Sequence, residues 1–183
     1  MKKKKVFILF ASPNKDGNTA ILLRHFLKDY SEHDIIIFNV YDKKVRPCID
    51  CGYCKVNDCC RYNDFDEINK YLNIADILVV ATPAYNLSFP APLKAVFDRT
   101  QIYFVRRFFK GIYPPIKKEK EAILLLTTGS NSKLSRDIIT EQLNMIFTII
   151  NAKLSKVLVV ENTDNVNVSV DEMNDYVKYF KYF

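Results

Sequence analysis

The 183-residue chain has no tryptophan and only four glycines, Gly17, Gly52, Gly111 and Gly129. Neither a G-x-G-x-x-G dinucleotide fingerprint nor a Walker phosphate loop can be formed from glycines at these positions. The chain also lacks an apolar run long enough to cross a membrane. Any phosphate site must therefore rely on hydroxyl and amide side chains as well as on backbone N–H groups.

The bulk composition predicts a single domain over residues 1–183. Hydrophobic residues make up 49% of the chain, which is enough for one core at this length. The net charge of +6 favours anionic ligands, but no nucleic-acid motif accompanies it. A lysine run and a short apolar segment open the chain without a cleavage site. We therefore expect a cytoplasmic protein that binds neither membranes nor nucleic acid.

Apolar runs rich in β-branched residues alternate with amphipathic segments. The strand-like runs cover residues 6–11, 34–40, 77–82, 122–127 and 153–160. The helical patterns cover residues 19–30, 66–72, 92–102, 132–150 and 170–183. Such alternation is typical of a parallel sheet covered on both faces, and five strands are too few for a barrel. The sequence predicts an α/β fold with a three-layer, doubly wound sheet of five parallel strands.

The loop after the first strand reads SPNKDGNT, residues 12–19. It places the side chains of Ser12, Asn14, Asn18 and Thr19, and free backbone N–H groups, at the positive end of a helix. This arrangement suits a terminal phosphate ester better than a pyrophosphate. An ordinary helix cap in a polar turn explains the same residues, so the loop alone leaves both interpretations open.

Two further loops follow the third and fourth strands. Residues 82–86 read TPAYN, in which Pro83 and Tyr85 offer rigid or flat apolar surface. The backbone of residues 84–86 can donate to ring nitrogens, and Thr128 and Gly129 begin the next loop. In the flavodoxin strand order 2-1-3-4-5, ligands bind at this edge of the sheet. One loop for a phosphate and two for a planar heterocycle indicate a mononucleotide with a large ring.

Two motifs between Lys5 and Thr100 resemble the NADPH-dependent FMN reductase family, which has a flavodoxin-like fold. SPNKDGNT is similar to its S-P-x-x-x-G-N-T phosphate loop, and ADILVVATPAYNLSFPAPLKAVFDRT is similar to its third-strand region. The resemblance implies an FMN phosphate at Ser12, Asn14, Lys15, Gly17, Asn18 and Thr19. It implies an isoalloxazine ring on Pro83, Ala84, Tyr85 and Asn86. The Asp98-Arg99 pair of the motif is expected to form a structural ion pair.

All five cysteines fall between Cys48 and Cys60. The spacing Cys48-x2-Cys51-x2-Cys54 resembles the ferredoxin run that ligates a [4Fe–4S] cluster, with Cys59 or Cys60 as a fourth thiolate. We take Cys48, Cys51, Cys54 and Cys59 as the predicted ligand set. A similar compact motif occurs in iron-sulfur flavoproteins, a branch of the same broad family. Zinc, or metal-free thiols lining a loop near the flavin, are the alternatives.

Together these features predict an FMN-dependent oxidoreductase that takes hydride from NAD(P)H and passes hydride or electrons to a small acceptor. One alternative is an iron-sulfur flavoprotein that carries electrons between a cluster and FMN from a ferredoxin-like donor. Another is a flavin-free interaction module. No side chain is an obvious proton donor, so no catalytic residue is predicted. The family resemblance implies a homodimer or higher homo-oligomer. The basic, aromatic connector 103–120 is expected to cover the flavin or contribute to a dimer contact, with Arg106 and Arg107 attracting an anionic substrate.

Overall fold

A computed structural model describes residues 2–166 and 169–181 and shows one twisted sheet between two layers. The strands are β1 (Lys5–Phe10), β2 (Asp34–Asn39), β3 (Ile77–Pro83), β4 (Lys120–Thr127), β5 (Ala152–Val160) and β6 (Lys178–Lys181). Their order is β2-β1-β3-β4-β5-β6. The first five strands are parallel and β6 is antiparallel to β5. The predicted parallel order 2-1-3-4-5 is confirmed, and the sixth strand was not predicted.

The helices lie between the strands close to the predicted positions. They are α1 (Asn18–Leu27), α2 (Tyr53–Val56), α3 (Asp66–Ile74), α4 (Ala91–Asp98), α5 (Gln101–Phe108), α6 (Lys133–Ile149) and α7 (Met173–Tyr176). The predicted start of α6 is explained by Ser132, whose Oγ accepts a hydrogen bond from the Ser135 N–H at 3.1 Å. The predicted helix 92–102 is divided into α4 and α5. None of the helices in the described residues is both long and apolar enough to cross a membrane.

The sheet buries side chains on both faces because successive residues of each strand point in opposite directions. In β1, Phe7 and Leu9 belong to the core under α3, α4, α5 and α6. Val6, Ile8 and Phe10 belong to the core under α1 and the C-terminal segment. This two-sided burial explains why the strands read as continuous apolar runs in the sequence.

The helix predicted over residues 170–183 is wrong. Residues 169–181 contain only the single turn α7 and the edge strand β6, and the last two residues of the prediction lie outside the described residues. The apolar residues Val170, Met173, Val177 and Phe180 are spaced three or four residues apart, as on one face of a helix. However, a segment rich in Val, Tyr and Phe also suits a strand, and β5 presents an open edge with backbone partners. Met173 and Val177 are still buried, against the α1 side of the sheet.

Candidate functional site

The carboxyl ends of β1, β3, β4 and β5 meet at one edge of the sheet, so the loops that follow them are neighbours. A cavity of about 420 Å³ lies between the loops after β3, β4 and β5. Its lining consists of Pro83, Ala84, Tyr85, Asn86, Thr127, Gly129, Thr163 and Asp164. Five of these residues belong to the predicted flavin site. The structure therefore brings the second and third predicted loops together.

The phosphate loop folds onto itself and leaves the start of α1 without a side-chain cap. Ser12 Oγ accepts from the Asn14 N–H at 3.2 Å, and Asn14 Oδ1 accepts from the Asp16 N–H at 3.0 Å. Gly17 is the N-cap of α1 and has extended backbone. The first N–H groups of the helix, on Asn18 and Thr19, have no acceptor within the helix. These donors and the helix dipole make the loop suitable for an anion.

Two hydrogen bonds join the start of α1 to the cavity. The Thr19 and Thr127 hydroxyl oxygens are 2.7 Å apart in a buried pair, and Thr127 lines the cavity. Asn18 Nδ2 donates to the Thr163 carbonyl oxygen at 3.4 Å, and Thr163 also lines the cavity. An anion at the helix terminus would therefore lie next to a ring in the cavity, as one mononucleotide requires.

The loop after β3 forms a tight turn from Tyr85 to Ser88. Tyr85 and Ser88 exchange two backbone hydrogen bonds of 2.9 Å, and Asn86 and Leu87 both have positive φ, 50° and 62°. Ala84 is not a free donor, because its N–H donates to the Thr127 carbonyl at 2.8 Å. In the described part of the chain the N–H groups of Asn86 and Leu87 find no acceptor. Left-handed residues in such a loop are typical of functional sites.

Not every predicted residue lines the cavity. Lys15 Nζ pairs instead with Asp42 at 2.8 Å, beyond the end of β2. Thr128 is buried and its hydroxyl donates to the Ser130 carbonyl at 2.7 Å. The side chains of Ser12 and Asn14 shape the loop, as described above. The assignment of these residues to FMN stays a prediction.

The loop after β5 contributes two residues that sequence reasoning missed. The Thr163 N–H donates to the Thr128 carbonyl at 3.0 Å, and the Asp164 N–H donates to the Gly129 carbonyl at 3.2 Å. A Cβ atom on Gly129 would lie 2.4 Å from Asp164 Oδ2, so a larger residue there would have to displace the exposed Asp164 side chain. The predicted strand order was a usable signal, because it places the end of β5 at the same edge.

The cysteines lie on a long excursion between β2 and α3. Cys48, Cys51, Cys54 and Cys60 line a second cavity, and Cys59 is not part of its lining. Cys48, Cys51 and Cys59 are exposed, whereas Cys54 and Cys60 are half-buried. Burial raises the pKa of the Cys54 thiol, and the neighbouring thiols of Cys48, Cys60 and Cys51 raise it further. The structure therefore groups the first three predicted ligands with Cys60 and leaves out Cys59.

In the described residues the cysteines around the second cavity do not form a ready-made metal site. Within residues 2–166 and 169–181, no three His, Cys, Asp or Glu side chains are grouped closely enough to bind one metal ion. This geometry does not decide between a cluster, zinc and metal-free thiols, and all three stay predictions. The cavity has a volume of about 20 Å³, room for about one water molecule. A four-iron cluster needs the cysteine segment to shift outward, and this segment contains only the short turn α2.

The connector 103–120 does not cover the first cavity. Its beginning is the last six residues of α5, and its end lies at the amino ends of the strands, where Lys118 Nζ pairs with Asp76 at 2.7 Å. The first cavity lies at the opposite edge of the sheet. Arg106 is not a free cation either, because its Nε and Nη2 donate to Asp58 at 2.8 Å and 2.6 Å. The covering role is thus wrong within one chain, and the dimer contact stays a prediction.

The predicted pair between Asp98 and Arg99 is also wrong. Asp98 pairs with Lys94 one helical turn earlier, at 2.5 Å. Arg99 turns inward and pairs with Asp64 at 2.9 Å, with its side chain only 1% exposed. Neighbouring residues at a helix end point in different directions, so adjacency in sequence did not make them partners.

Comparisons with known proteins agree with this architecture. The chain is 35% identical over 100 residues to an iron-sulfur flavoprotein of Methanocaldococcus jannaschii, a match of 53% of this chain and 52% of that protein. It is 33% identical over 107 residues to an iron-sulfur flavoprotein of Methanosarcina thermophila, covering 57% and 56%. The chain thus spans about half the length of the curated relatives it matches.

A solved structure shares the fold over almost the whole chain. It is the NAD(P)H:quinone oxidoreductase from Methanothermobacter marburgensis, with a TM-score of 0.71, 21% identity and coverage of 94% of this chain and 91% of that chain. The model of the NADPH-dependent FMN reductase family matches residues 4–161, which include β1 to β5, all five cysteines and the lining of the first cavity except Thr163 and Asp164. This match covers most of the chain and contains both sequence motifs. The chain therefore belongs to the NADPH-dependent FMN reductase family.

Proposed function

We propose that the protein is an FMN-dependent oxidoreductase that takes reducing equivalents from NAD(P)H and delivers them to a small acceptor. The observation that carries this proposal is the junction of two sites at one sheet edge. An uncapped helix terminus is hydrogen-bonded, through Thr19 and Asn18, to the wall of a 420 Å³ cavity. A phosphate and a planar ring of one ligand therefore have adjacent places.

The residues divide the binding between them. The N–H groups of Asn18 and Thr19 would hold the phosphate, with Ser12 and Asn14 keeping the loop in shape. Pro83 and Tyr85 would contact the ring, and the N–H groups of Asn86 and Leu87 would donate to its polar edge. Bound FMN would supply the hydride and electron chemistry, which the protein only positions.

An external nicotinamide can reach this cavity. Tyr85 is 45% exposed and Asp164 is exposed, so the wall formed by these residues faces solvent. With the ring bound against this loop, the Asn86 and Leu87 N–H groups would stabilise negative charge on the reduced ring. Hydride transfer requires no acidic side chain at this position.

The first test compares FMN with riboflavin, which lacks the phosphate, by fluorescence titration of the apoprotein. We expect Asn18→Asp to weaken FMN binding at least tenfold, about 1.4 kcal/mol, because a carboxylate at the helix terminus repels the phosphate. Riboflavin binding should change much less. Asn144→Asp, the same change on α6, is the matched control and should leave both affinities unaltered. Equal losses for FMN and riboflavin in Asn18→Asp would contradict the phosphate assignment.

Turnover is tested with the FMN-loaded protein, NADH or NADPH, and a quinone as acceptor. Oxidation of either nicotinamide that depends on added quinone supports the oxidoreductase. A protein that binds no FMN would instead be the flavin-free module.

A second candidate, an iron-sulfur flavoprotein with a ferredoxin-like electron donor, is favoured by the grouping of Cys48, Cys51, Cys54 and Cys60 in one cavity. Anaerobically purified protein should then contain about four irons and four acid-labile sulfides per chain. We propose Cys60 as the fourth ligand in place of Cys59. Cys60→Ser should lose most of the iron, and Cys59→Ser, the adjacent matched control, should keep it. The reverse result would restore Cys59, and flavin without iron would leave the thiols metal-free.

A further inference from the structure

The loop after β5 connects the start of α1 to the wall of the first cavity. Asn18 Nδ2 donates to the Thr163 carbonyl at 3.4 Å, and Thr163 and Asp164 both line the cavity. The Thr163 N–H and hydroxyl both donate to the Thr128 carbonyl, at 3.0 Å and 3.1 Å. The Asp164 N–H donates to the Gly129 carbonyl at 3.2 Å. These contacts hold the loop against two others, so the Asp164 side chain has a defined place in the wall.

The carboxylate of Asp164 is a hydrogen-bond acceptor in this wall. In the described part of the chain, Asp164 is the only acidic or basic residue lining the cavity, whose volume of about 420 Å³ is within the range of small-molecule sites. The carboxylate lies against the backbone of Gly129, in the space that a side chain at position 129 would occupy. No hydrogen bond or ion pair within residues 2–166 and 169–181 involves it. Because an ionised carboxylate only accepts hydrogen bonds, it suits a ligand with several donors.

The proposed places of the phosphate and the ring decide which part of FMN meets Asp164. The phosphate would lie at the N–H groups of Asn18 and Thr19, and the ring would lie against Pro83 and Tyr85. The ribityl chain that joins them must then pass the contact between α1 and the loop after β5, which is next to Asp164. A carboxylate repels the phosphate, whereas the ribityl hydroxyl groups are donors. The hydroxyl groups are thus the part of the ligand that this carboxylate complements.

From these observations we propose that Asp164 accepts hydrogen bonds from the ribityl hydroxyl groups and selects ligands in which a polyhydroxylated chain joins the phosphate to the ring. The inference rests on the proposed FMN site and deepens it, because it adds a contact for the middle of the ligand. Hydrogen bonds to a charged acceptor are stronger than those to a neutral one. Asp164 is a ligand-binding residue and takes no part in hydride transfer.

The experiment compares FMN with its analogue in which an unsubstituted pentyl chain replaces ribityl, by fluorescence titration of the apoprotein. Both ligands carry the phosphate and the ring, so the ratio of their dissociation constants cancels any change in the repulsion between residue 164 and the phosphate. We expect the wild type to prefer FMN, and this preference to fall at least tenfold in Asp164→Ala. Asp175→Ala, an exposed aspartate on α7 outside the cavity lining, is the matched control and should keep the preference within threefold.

The outcomes separate this inference from the function on which it depends. A folded Asp164→Ala variant that keeps the wild-type preference would make Asp164 an ordinary solvated loop residue and overturn the inference. If Asp164→Ala does not fold, Asp164→Asn decides, because it has the same size but lacks the charge. A preference that falls at least threefold in Asp164→Asn supports the inference, and a smaller change overturns it. Wild-type protein that binds FMN and the pentyl analogue equally well would also overturn it, while leaving the FMN-dependent function in place. Wild-type protein that binds neither ligand would remove both.

Discussion

Lys120 shows how one residue can link burial, helix capping and pH. It lies at the start of β4, is 2% exposed, and has no carboxylate partner among the described residues. Its Nζ donates to the Ile150 carbonyl at 2.7 Å and the Lys118 carbonyl at 3.0 Å. The first contact places a cation at the carboxyl end of α6, where the helix dipole favours it. Burial nevertheless disfavours the charged amine and lowers the pKa of Lys120 to about 8.

The depressed pKa predicts that stability rises with pH above about 8. Below that pH the amine is protonated in both the folded and the unfolded chain. Between about 8 and the ordinary pKa of 10.5, the unfolded chain binds the proton more tightly, so the free energy of unfolding increases with pH. We expect a gain of about 1 to 2 kcal/mol from Lys120 between about pH 8 and 9.5, measured by urea denaturation.

Lys120→Met should abolish this slope relative to wild type. The matched control is Lys153→Met, because Lys153 is exposed and its partner Glu119 raises its pKa out of the range. Measurements stop below about pH 10, since burial raises the pKa of Tyr103 and unfolded tyrosines then ionise first. Equal slopes in wild type and Lys120→Met would show that the buried amine does not titrate there.

The C-terminal segment is the element whose structure departs most from its local pattern. Its apolar residues have helical spacing, but of these only Met173 and Val177 are buried on the α1 side of the sheet. The following residues instead pair with β5, from Lys178 opposite Val159 to Lys181 opposite Lys156. This pairing covers the open edge of β5. The segment therefore covers part of the α1 face of the sheet and also adds a strand at the edge of β5.

We predict that Met173→Ala lowers the free energy of unfolding by about 2 to 4 kcal/mol. Met173 is fully buried, so its truncation leaves a cavity between the sheet and α1. Met145→Ala is the matched control, because Met145 on α6 is 73% exposed and its loss should cost about 0.5 kcal/mol or less. Urea denaturation of both variants measures the difference. Similar small losses would mean that the C-terminal segment is not part of the cooperative fold.

At the scale of the whole molecule, an aromatic patch is the best candidate for self-association. Phe108, Phe109, Ile112 and Tyr113 follow one another around the end of α5 and are all exposed. Tyr103, which the sequence also suggested for this surface, is buried and donates to Asn69 Oδ1 at 2.6 Å. Exposed apolar clusters of this kind are typical of interfaces.

If the predicted homodimer uses this patch, Phe109→Glu should convert the protein to a monomer. Phe109 is 63% exposed, and a carboxylate there would be buried without a partner in the interface. Light scattering coupled to size-exclusion chromatography measures the mass. Met145→Glu, on the exposed side of α6, is the control and should keep the oligomer. A dimer that survives Phe109→Glu would place the interface elsewhere.

The sequence by itself determined the parallel sheet, because strands buried on both faces must be continuously apolar. The strand order came from the resemblance of two motifs to a flavodoxin-like family, and with that order it predicted the edge proposed for the ligand. The grouping of five thiols within thirteen residues was visible in the same way.

Only the tertiary structure decided what depends on contacts between distant residues. Cys60 and not Cys59 lines the cavity, in an excursion whose two ends are bound by Arg99, far along the chain. Asp164 meets Gly129 because β4 and β5 are neighbours, and β6 forms because β5 has an open edge. The spacing of apolar residues along the chain does not show which distant residues meet. These contacts depend on how the whole sheet and its helix layers pack together.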